Sequence, residues 1–233
     1  MDSIAPGNTA AAPDERVGVI VIHGVGDTEI HAEAGVHCAR IAKQCVKWGL
    51  GPAEFFAGIP GTLGGALAMN AGAYGGETWN HVVEVEVMNR AGERRTRPRA
   101  DYQTGYRQAR GPEGECFIAA RLRFEPRPSA SLDSIRDLLV RRRQTQPIGD
   151  WSCGSVFTNP AGDHAARLIE SAGLKGFRIG DAAVSLKHAN FIVNLGAARA
   201  ADLEALIVHV QTVVQERFGI RLTPEVRIVG EPA

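Results

Sequence analysis

The chain has no excess charge of either sign: over 233 residues, 26 lysines and arginines are balanced by 26 aspartates and glutamates. No global field draws in a polyanion, so nucleic acid is not an expected partner. No apolar run approaches the ~18 residues of a spanning helix, and no membrane association is expected. The four cysteines, Cys38, Cys45, Cys116 and Cys153, form no Cys-x-x-Cys pair. Reduced, mostly buried thiols and a cytoplasmic setting follow. The histidines show no spacing that groups metal ligands, so no metal is expected. Neither a Gly-Lys-Ser/Thr phosphate loop nor a Gly-x-Gly-x-x-Gly turn occurs. A Gly-x-Ser-x-Gly elbow is also missing, which argues against the serine hydrolase suggested by Val19-Ile-Val-Ile-His-Gly-Val-Gly26.

What is present is a mixture of strand and helix patterns. Residues 1–16 read as a disordered tail, with no basic region followed by an apolar stretch. Val17–His23 is a β-branched run closed by Gly24 and Gly26, and Glu29–Ala34 follows as a second strand. Val36, Ile41, Ala42, Cys45 and Val46 recur at helical spacing up to a stop at Gly49 and Gly51-Pro52. Val82–Met88 alternates into a turn at Asn89–Gly92, and Cys116–Phe124 alternates again. Pro126-Arg127-Pro128 marks a boundary, with one unit over 17–126 and another over 129–233. The second unit reads as helices from Leu132, from about His164 to Ala172 and from Ala201 to Arg217, with strands at Phe191–Asn194 and Val226–Val229. Arg141-Arg142-Arg143 reads as the basic end of a helix, where cations suit the dipole.

Between Gly58 and Gly76, seven of nineteen residues are glycine, so an unbroken helix or strand is not expected; irregular backbone fitted closely to a partner is. The segment Gly58-Ile-Pro-Gly-Thr-Leu-Gly-Gly-Ala-Leu-Ala-Met-Asn-Ala-Gly-Ala-Tyr-Gly-Gly-Glu77 closely resembles the flavin-binding segment of UDP-N-acetylenolpyruvoylglucosamine reductases. The resemblance extends through Tyr106-Arg107, Cys153-Gly-Ser-Val-Phe-Thr-Asn-Pro160, Ala172-Gly-Leu-Lys-Gly176, Lys187-His-Ala-Asn-Phe191 and Pro224-Glu-Val226. The short run from Arg107 to Ser155 is similar to the compact subgroup.

The resemblance implies an α+β protein, with part of a PCMH-type FAD-binding domain followed by a smaller α+β substrate-binding domain. It implies an FAD-dependent, NADPH-using reductase that converts the enolpyruvyl nucleotide sugar to UDP-N-acetylmuramate for peptidoglycan, and a monomer is expected. Ser155 would donate a proton, Arg107 would hold the substrate carboxylate in two hydrogen bonds, and Glu225 would orient or polarise the reacting end. Gly61, Thr62, Gly64, Gly65, Ala71, Gly72 and Tyr74 would face the flavin. Tyr106, Asn159 and His188 would contact the nucleotide sugar. Two departures stand out. The family's first Gly-Ser-Asn loop has no counterpart, and Thr158 replaces a residue that is basic in many relatives. The missing loop predicts exposed apolar surface on the strand at Val17 and the helix after Val36, and suggests a shortened, flavin-poor, nucleotide-sugar-binding relative as the alternative, while Thr158 bears on the poise of Ser155 and on how the substrate's charge is met.

Overall fold

The structure, a computed structural model, describes residues 22–230. The expected tail and the first part of the strand at Val17 lie outside the described residues. β1 (Ile22–Val25) and β2 (Glu29–Glu33) pair antiparallel around a turn in which Gly26 takes φ +67°. The helical spacing after Val36 becomes α1 (Cys38–Lys47), which buries Cys38, Ile41, Ala42, Cys45 and Val46 on one stripe and stops before Gly49 at φ +67°. The exposed apolar stripe expected on this helix is therefore not found. Its apolar side chains are already covered within the first core.

After β3 (Leu50–Gly51) and a short 3-10 turn, the glycine-rich segment departs from the irregular backbone expected of it. Its middle is helical, α2 (Leu63–Met69), even though it contains Gly64 and Gly65. Each helical glycine costs about 1 kcal/mol relative to alanine. Burial of Leu63, Ala66 and Leu67 on one side of the short helix opposes that cost. Asn70 ends the helix in the left-handed region at φ +42°. Two pairings follow, the small one of β4 (Gly72–Ala73) with β5 (Gly76–Glu77) and then that of the long β6 (Val82–Asn89) with β7 (Arg94–Pro98).

A second tight hairpin comes from β8 (Gln103–Gly105) and β9 (Gln108–Arg110). β10 (Glu115–Arg123) then inserts between β2 and β6, giving the antiparallel sheet order β1-β2-β10-β6-β7. The period-two patterns at Val82–Met88 and Cys116–Phe124 are thus neighbouring strands, with Val85 opposite Ala120. β11 (Glu125–Pro126) pairs back to β3. The first core gathers Phe56, Trp79, Ile30, Ile41, Leu63 and Leu122, all fully buried.

α3 (Leu132–Thr145) begins where Ser131 Oγ accepts from the Ser134 N–H at 3.1 Å. It follows the boundary expected at 126–129, yet it packs Ile135 and Leu139 against the first core. The second unit contains β12 (Trp151–Ser155), α4 (Ala165–Ser171), β13 (Arg178–Ile179), β14 (Ala182–Val184), β15 (Phe191–Asn194) and α5 (Ala200–Phe218). Its sheet order is β12-β15-β14-β13, with α5 ending at Gly219, φ +68°. A separate core forms around Leu168, Ile169, Phe157, Leu206, Val214 and Leu222.

Two further expectations are corrected. Val226–Val229 forms no strand: the segment attaches by one bridge between Pro224 and Phe157, and Val229 is 89% exposed. Beside that bridge only the Glu225 and Val226 N–H groups reach a backbone carbonyl, both at Val156 O, so no ladder forms even though β12 is the edge strand of its sheet. The thiols divide evenly. Cys38 and Cys45 are buried and their pKa is pushed up to about 12, chiefly by desolvation, whereas Cys116 and Cys153 are exposed. All four are free.

Leu206 is fully buried at the centre of the second core. Leu206→Ala is expected to destabilise the protein by about 2–5 kcal/mol, read as a lower urea midpoint. A loss under about 1 kcal/mol would mean that α5 does not pack as described.

Candidate active site

A cleft of about 710 Å³ opens where the two units face each other. Its size falls within the range of small-ligand sites. One wall is glycine-rich: Gly58, Ile59 and Pro60, then Gly65, Ala66 and Met69 of α2, then Ala71 to Tyr74. The other wall comes from the second unit and carries Cys153, Gly154, Ser155, Phe191 and Glu225 to Arg227. Arg107 and the pair Arg142 and Gln146 complete the lining.

The bare wall has two kinds of glycine. A Cβ at Gly64 would meet the Ala34 Cβ at 3.1 Å and the Ala34 carbonyl oxygen at 3.3 Å, so Gly64 serves helix packing. A Cβ at Gly65 would meet nothing within 4 Å, so the missing side chain leaves open space on the cleft side. Asn70 fixes this wall from behind. Its side chain is buried, donates to Gly105 O at 2.9 Å and Glu77 Oε2 at 3.0 Å, and accepts from the Trp79 N–H at 3.1 Å. The contact to Gly105 sets the β8–β9 hairpin, whose two-residue turn is Tyr106-Arg107.

Arg107 occupies that turn at φ +56°, a conformation that costs a residue with a side chain about 1–2 kcal/mol. The guanidinium donates weakly to Gly72 O at 3.3 and 3.4 Å and lies 5.3 Å from the Tyr106 ring centroid. Its Nε is 3.2 Å from Glu225 Oε1 but poorly aligned, so this buried N–H has no hydrogen-bond acceptor. Burial pushes the Glu225 pKa up, and the nearby Arg107 charge only partly offsets this. The result is a cation and a reluctant anion facing one cavity.

Ser155 ends β12 after Gly154, which takes φ +86° and allows the strand to bend at an irregular register with β15. Its hydroxyl has no protein partner among the described residues. The turn behind it is firmly held. Asn190 accepts from the Phe157 N–H at 3.0 Å and donates to Phe157 O at 2.8 Å, while the Glu225 N–H donates to Val156 O at 2.8 Å. One short segment thus anchors both Ser155 and Glu225. Cys153, two residues away, is an exposed thiol whose pKa is raised by desolvation and, further, by Glu225.

Of the residues marked from sequence, Gly65, Ala71, Gly72, Tyr74, Arg107, Ser155 and Glu225 line this cleft. Gly61, Thr62 and Gly64 do not line it; they serve the wall from behind, as when Gly61 O accepts from the Cys38 N–H at 3.0 Å. Tyr106 is half exposed, with its ring beside Arg107. Asn159 is used by helix α4, accepting from the Ala165 N–H at 3.1 Å. His188 stands behind Phe191, ring centroids 4.9 Å apart, and Nδ1 accepts from the Asn190 N–H at 3.3 Å. Burial first, and then Lys175, lower its pKa and favour the neutral ring. The sequence reading missed Arg142, Gln146, Phe191 and Arg227 as cleft residues, since an arginine in a basic run carries no sign of which way it turns.

The open face at Gly65 suits a planar heterocycle laid against bare backbone, and the unpartnered Arg107 N–H on the same cleft leaves a donor for an acceptor group of a second ligand. Residues 17–96 match the description of an FAD binding domain, and residues 146–229 that of the UDP-N-acetylenolpyruvoylglucosamine reductase C-terminal domain. This is the architecture of a flavin-dependent oxidoreductase. The chain is 58% identical over 204 residues to the UDP-N-acetylenolpyruvoylglucosamine reductase of Alkalilimnicola ehrlichii, covering 87% of this chain and 68% of the relative. It is 57% identical to that of Coxiella burnetii, covering 89% and 66%. The crystal structure of the Thermus caldophilus reductase aligns with a TM-score of 0.73 at 36% identity, over 84% of this chain and 71% of that one. The chain belongs to the UDP-N-acetylenolpyruvoylglucosamine reductase family, while spanning about two thirds of the length of these relatives.

Gly65→Ala separates the two uses of glycine. It is expected to stabilise the helix by about 0.5–1 kcal/mol while weakening FAD binding, because the new methyl enters the cleft. Fluorescence titration of FAD beside a thermal melt would check this, and full affinity in a stabilised variant would show that the open face at Gly65 is not the ring's seat.

Proposed function

We propose that the chain reduces the enolpyruvyl group of UDP-N-acetylglucosamine enolpyruvate to give UDP-N-acetylmuramate, using NADPH, in cytoplasmic synthesis of peptidoglycan precursors. One observation carries this reading: Arg107, Ser155 and Glu225 converge on a single cleft whose facing wall is bare backbone at Gly65 and Gly72. Bound there, FAD supplies the hydride acceptor and donor that links NADPH to the substrate. The rest of the chemistry belongs to side chains.

Arg107 is suited to the substrate carboxylate, because a planar guanidinium pairs with two oxygens and opposes the charge that grows on the carboxyl group as the double bond is reduced. Ser155 supplies a proton to the carbon next to the one that receives hydride. Its hydroxyl has no competing protein acceptor and is held on a firm turn. Glu225 reaches the same end of the substrate. When the substrate carboxylate takes Arg107, Glu225 loses its compensating cation, and burial then favours its protonated form. Tyr74 and the backbone of Ala71 and Gly72 form the flavin wall, with Gly61, Thr62 and Gly64 shaping it. We assign Tyr106, Asn159 and His188 supporting places around the nucleotide sugar, and we propose one unit over 17–126 followed by another from 129 whose first helix, α3, packs back on the core of the first.

The first test records the visible spectrum of the purified chain with added FAD, then NADPH oxidation with the enolpyruvyl nucleotide sugar. No bound flavin and no oxidation would overturn the enzyme reading, and sugar binding without flavin would favour a binding-only relative. Ser155→Ala should leave flavin reduction by NADPH intact and slow product formation by at least about a hundredfold, the scale of a lost general acid. Binding of the carboxylate-bearing substrate should tighten as pH falls from 7 toward the raised Glu225 pKa, because protonated Glu225 no longer competes for Arg107. Calorimetry across pH should show this slope in the parent chain and a flat profile in Glu225→Gln.

A further inference from the structure

The helix α3 lies outside the segments that carry the family resemblance, yet it grips both ends of the glycine-rich wall. Arg142, in its last turn, donates from one Nη to the Gly58 carbonyl at 2.6 Å. One turn earlier, the Leu138 carbonyl accepts from the Tyr74 hydroxyl at 2.9 Å. Gly58 and Tyr74 are the two ends of the wall, and both are placed by a helix more than sixty residues further along the chain. Tyr74 itself is held at φ +52°, so its bond to α3 fixes a strained turn.

Arg142 also lines the cleft. Its Nε donates to Gln146 Oε1 at 2.8 Å, and its two protein acceptors are both neutral. Among the described residues it has no carboxylate partner, in contrast to Arg107, which stands beside Glu225. A guanidinium has five N–H donors, and these two bonds use two of them. A half-buried cation with donors to spare, fixed against the flavin-facing wall, is arranged for an electron-rich partner.

We propose that Arg142 is the cation that faces the flavin ring, holding its electron-rich carbonyl edge and favouring the reduced, negatively charged form over the oxidised one. This rests on the flavin reading above and extends it to a residue outside the motifs. Charge beside the ring is one of the levers by which a protein tunes a flavin. Electrostatic preference for the reduced form appears directly as a higher reduction potential.

The experiment uses the full chain loaded with FAD and compares the parent with Arg142→Gln and Arg142→Lys. Reduction potentials are read by dye equilibration, and affinity for lumiflavin, which has no diphosphate, by fluorescence quenching. Arg142→Gln is expected to lose about tenfold of the preference for reduced flavin, a fall of about 30 mV for the two-electron couple, and to bind lumiflavin more weakly. Arg142→Lys keeps the charge and should restore most of the potential. A potential and a lumiflavin affinity unchanged in Arg142→Gln would overturn the proposal, as would an Arg142→Lys variant that falls as far as Arg142→Gln. If the parent chain itself binds no flavin, the functional reading fails along with this one. If the parent binds and the variants match it, only the role of Arg142 fails.

Discussion

Arg107 Nε and Glu225 Oε1 stand 3.2 Å apart, and the two residues belong to different halves of the chain. The two hydrophobic cores share no residue, so apolar packing fixes each half internally and leaves the space between them to polar contacts. With α3 counted alongside the first core it packs on, three such contacts among the described residues bridge the halves: Arg107 to Glu225, Lys187 Nζ to Arg143 O, and Arg227 to the Met69 sulfur at 3.8 Å. A pair of opposite charges about 4 Å apart gains about 1 kcal/mol in water and about 4 kcal/mol at an effective dielectric constant of 20. That is enough to set an approach and too little to close the cleft permanently. Because the contact is also misaligned, it is easily exchanged for a ligand carboxylate.

The other contributions to the site are backbone devices. Gly154 and Arg107 both take left-handed φ, and each is locked by a neighbour whose own polar groups are satisfied: Asn190 behind Ser155, and Asn70 behind the hairpin of Arg107. Buried side-chain amides suit this task because one group can both donate and accept, and leaving it unpaired would be costly. The strain at Arg107 is supported by the same wall that presents the open face of Gly65. Flexible loops would not keep a guanidinium, a hydroxyl and a carboxyl directed at one cavity.

How much of this was legible from sequence depends on the element. The stripe of α1, the alternation of β6 and β10, and α5 with its glycine stop follow directly from apolar spacing, since burial on one face is what stabilises each. The helix α2 was not legible, because two glycines in seven residues argue against a helix unless Leu63 and Leu67 find a core. The strand expected at Val226–Val229 failed although β12 leaves an edge free: Glu225 and Val226 both donate to Val156 O, and Ile228 and Val229 stay exposed, so their β-branched side chains gain no burial. The grouping of α3 with the second half followed a proline boundary, yet Ile135 packs with the first.

For the site, the motifs alone marked Arg107, Ser155, Glu225 and the glycine-rich wall, because the chemistry of carboxylate binding, proton donation and close backbone approach restricts which residue types can serve. The sequence by itself thus determined the kind of surface and the reactive side chains. Only the tertiary structure decided which of them share a cavity, because convergence depends on the mutual approach of two independent cores. It turned Asn159 into a support for a helix, kept His188 behind Phe191, and brought Arg142 from an ordinary basic run to the cleft. The direction of a side chain is set by packing against residues distant in sequence, and local spacing carries no record of it.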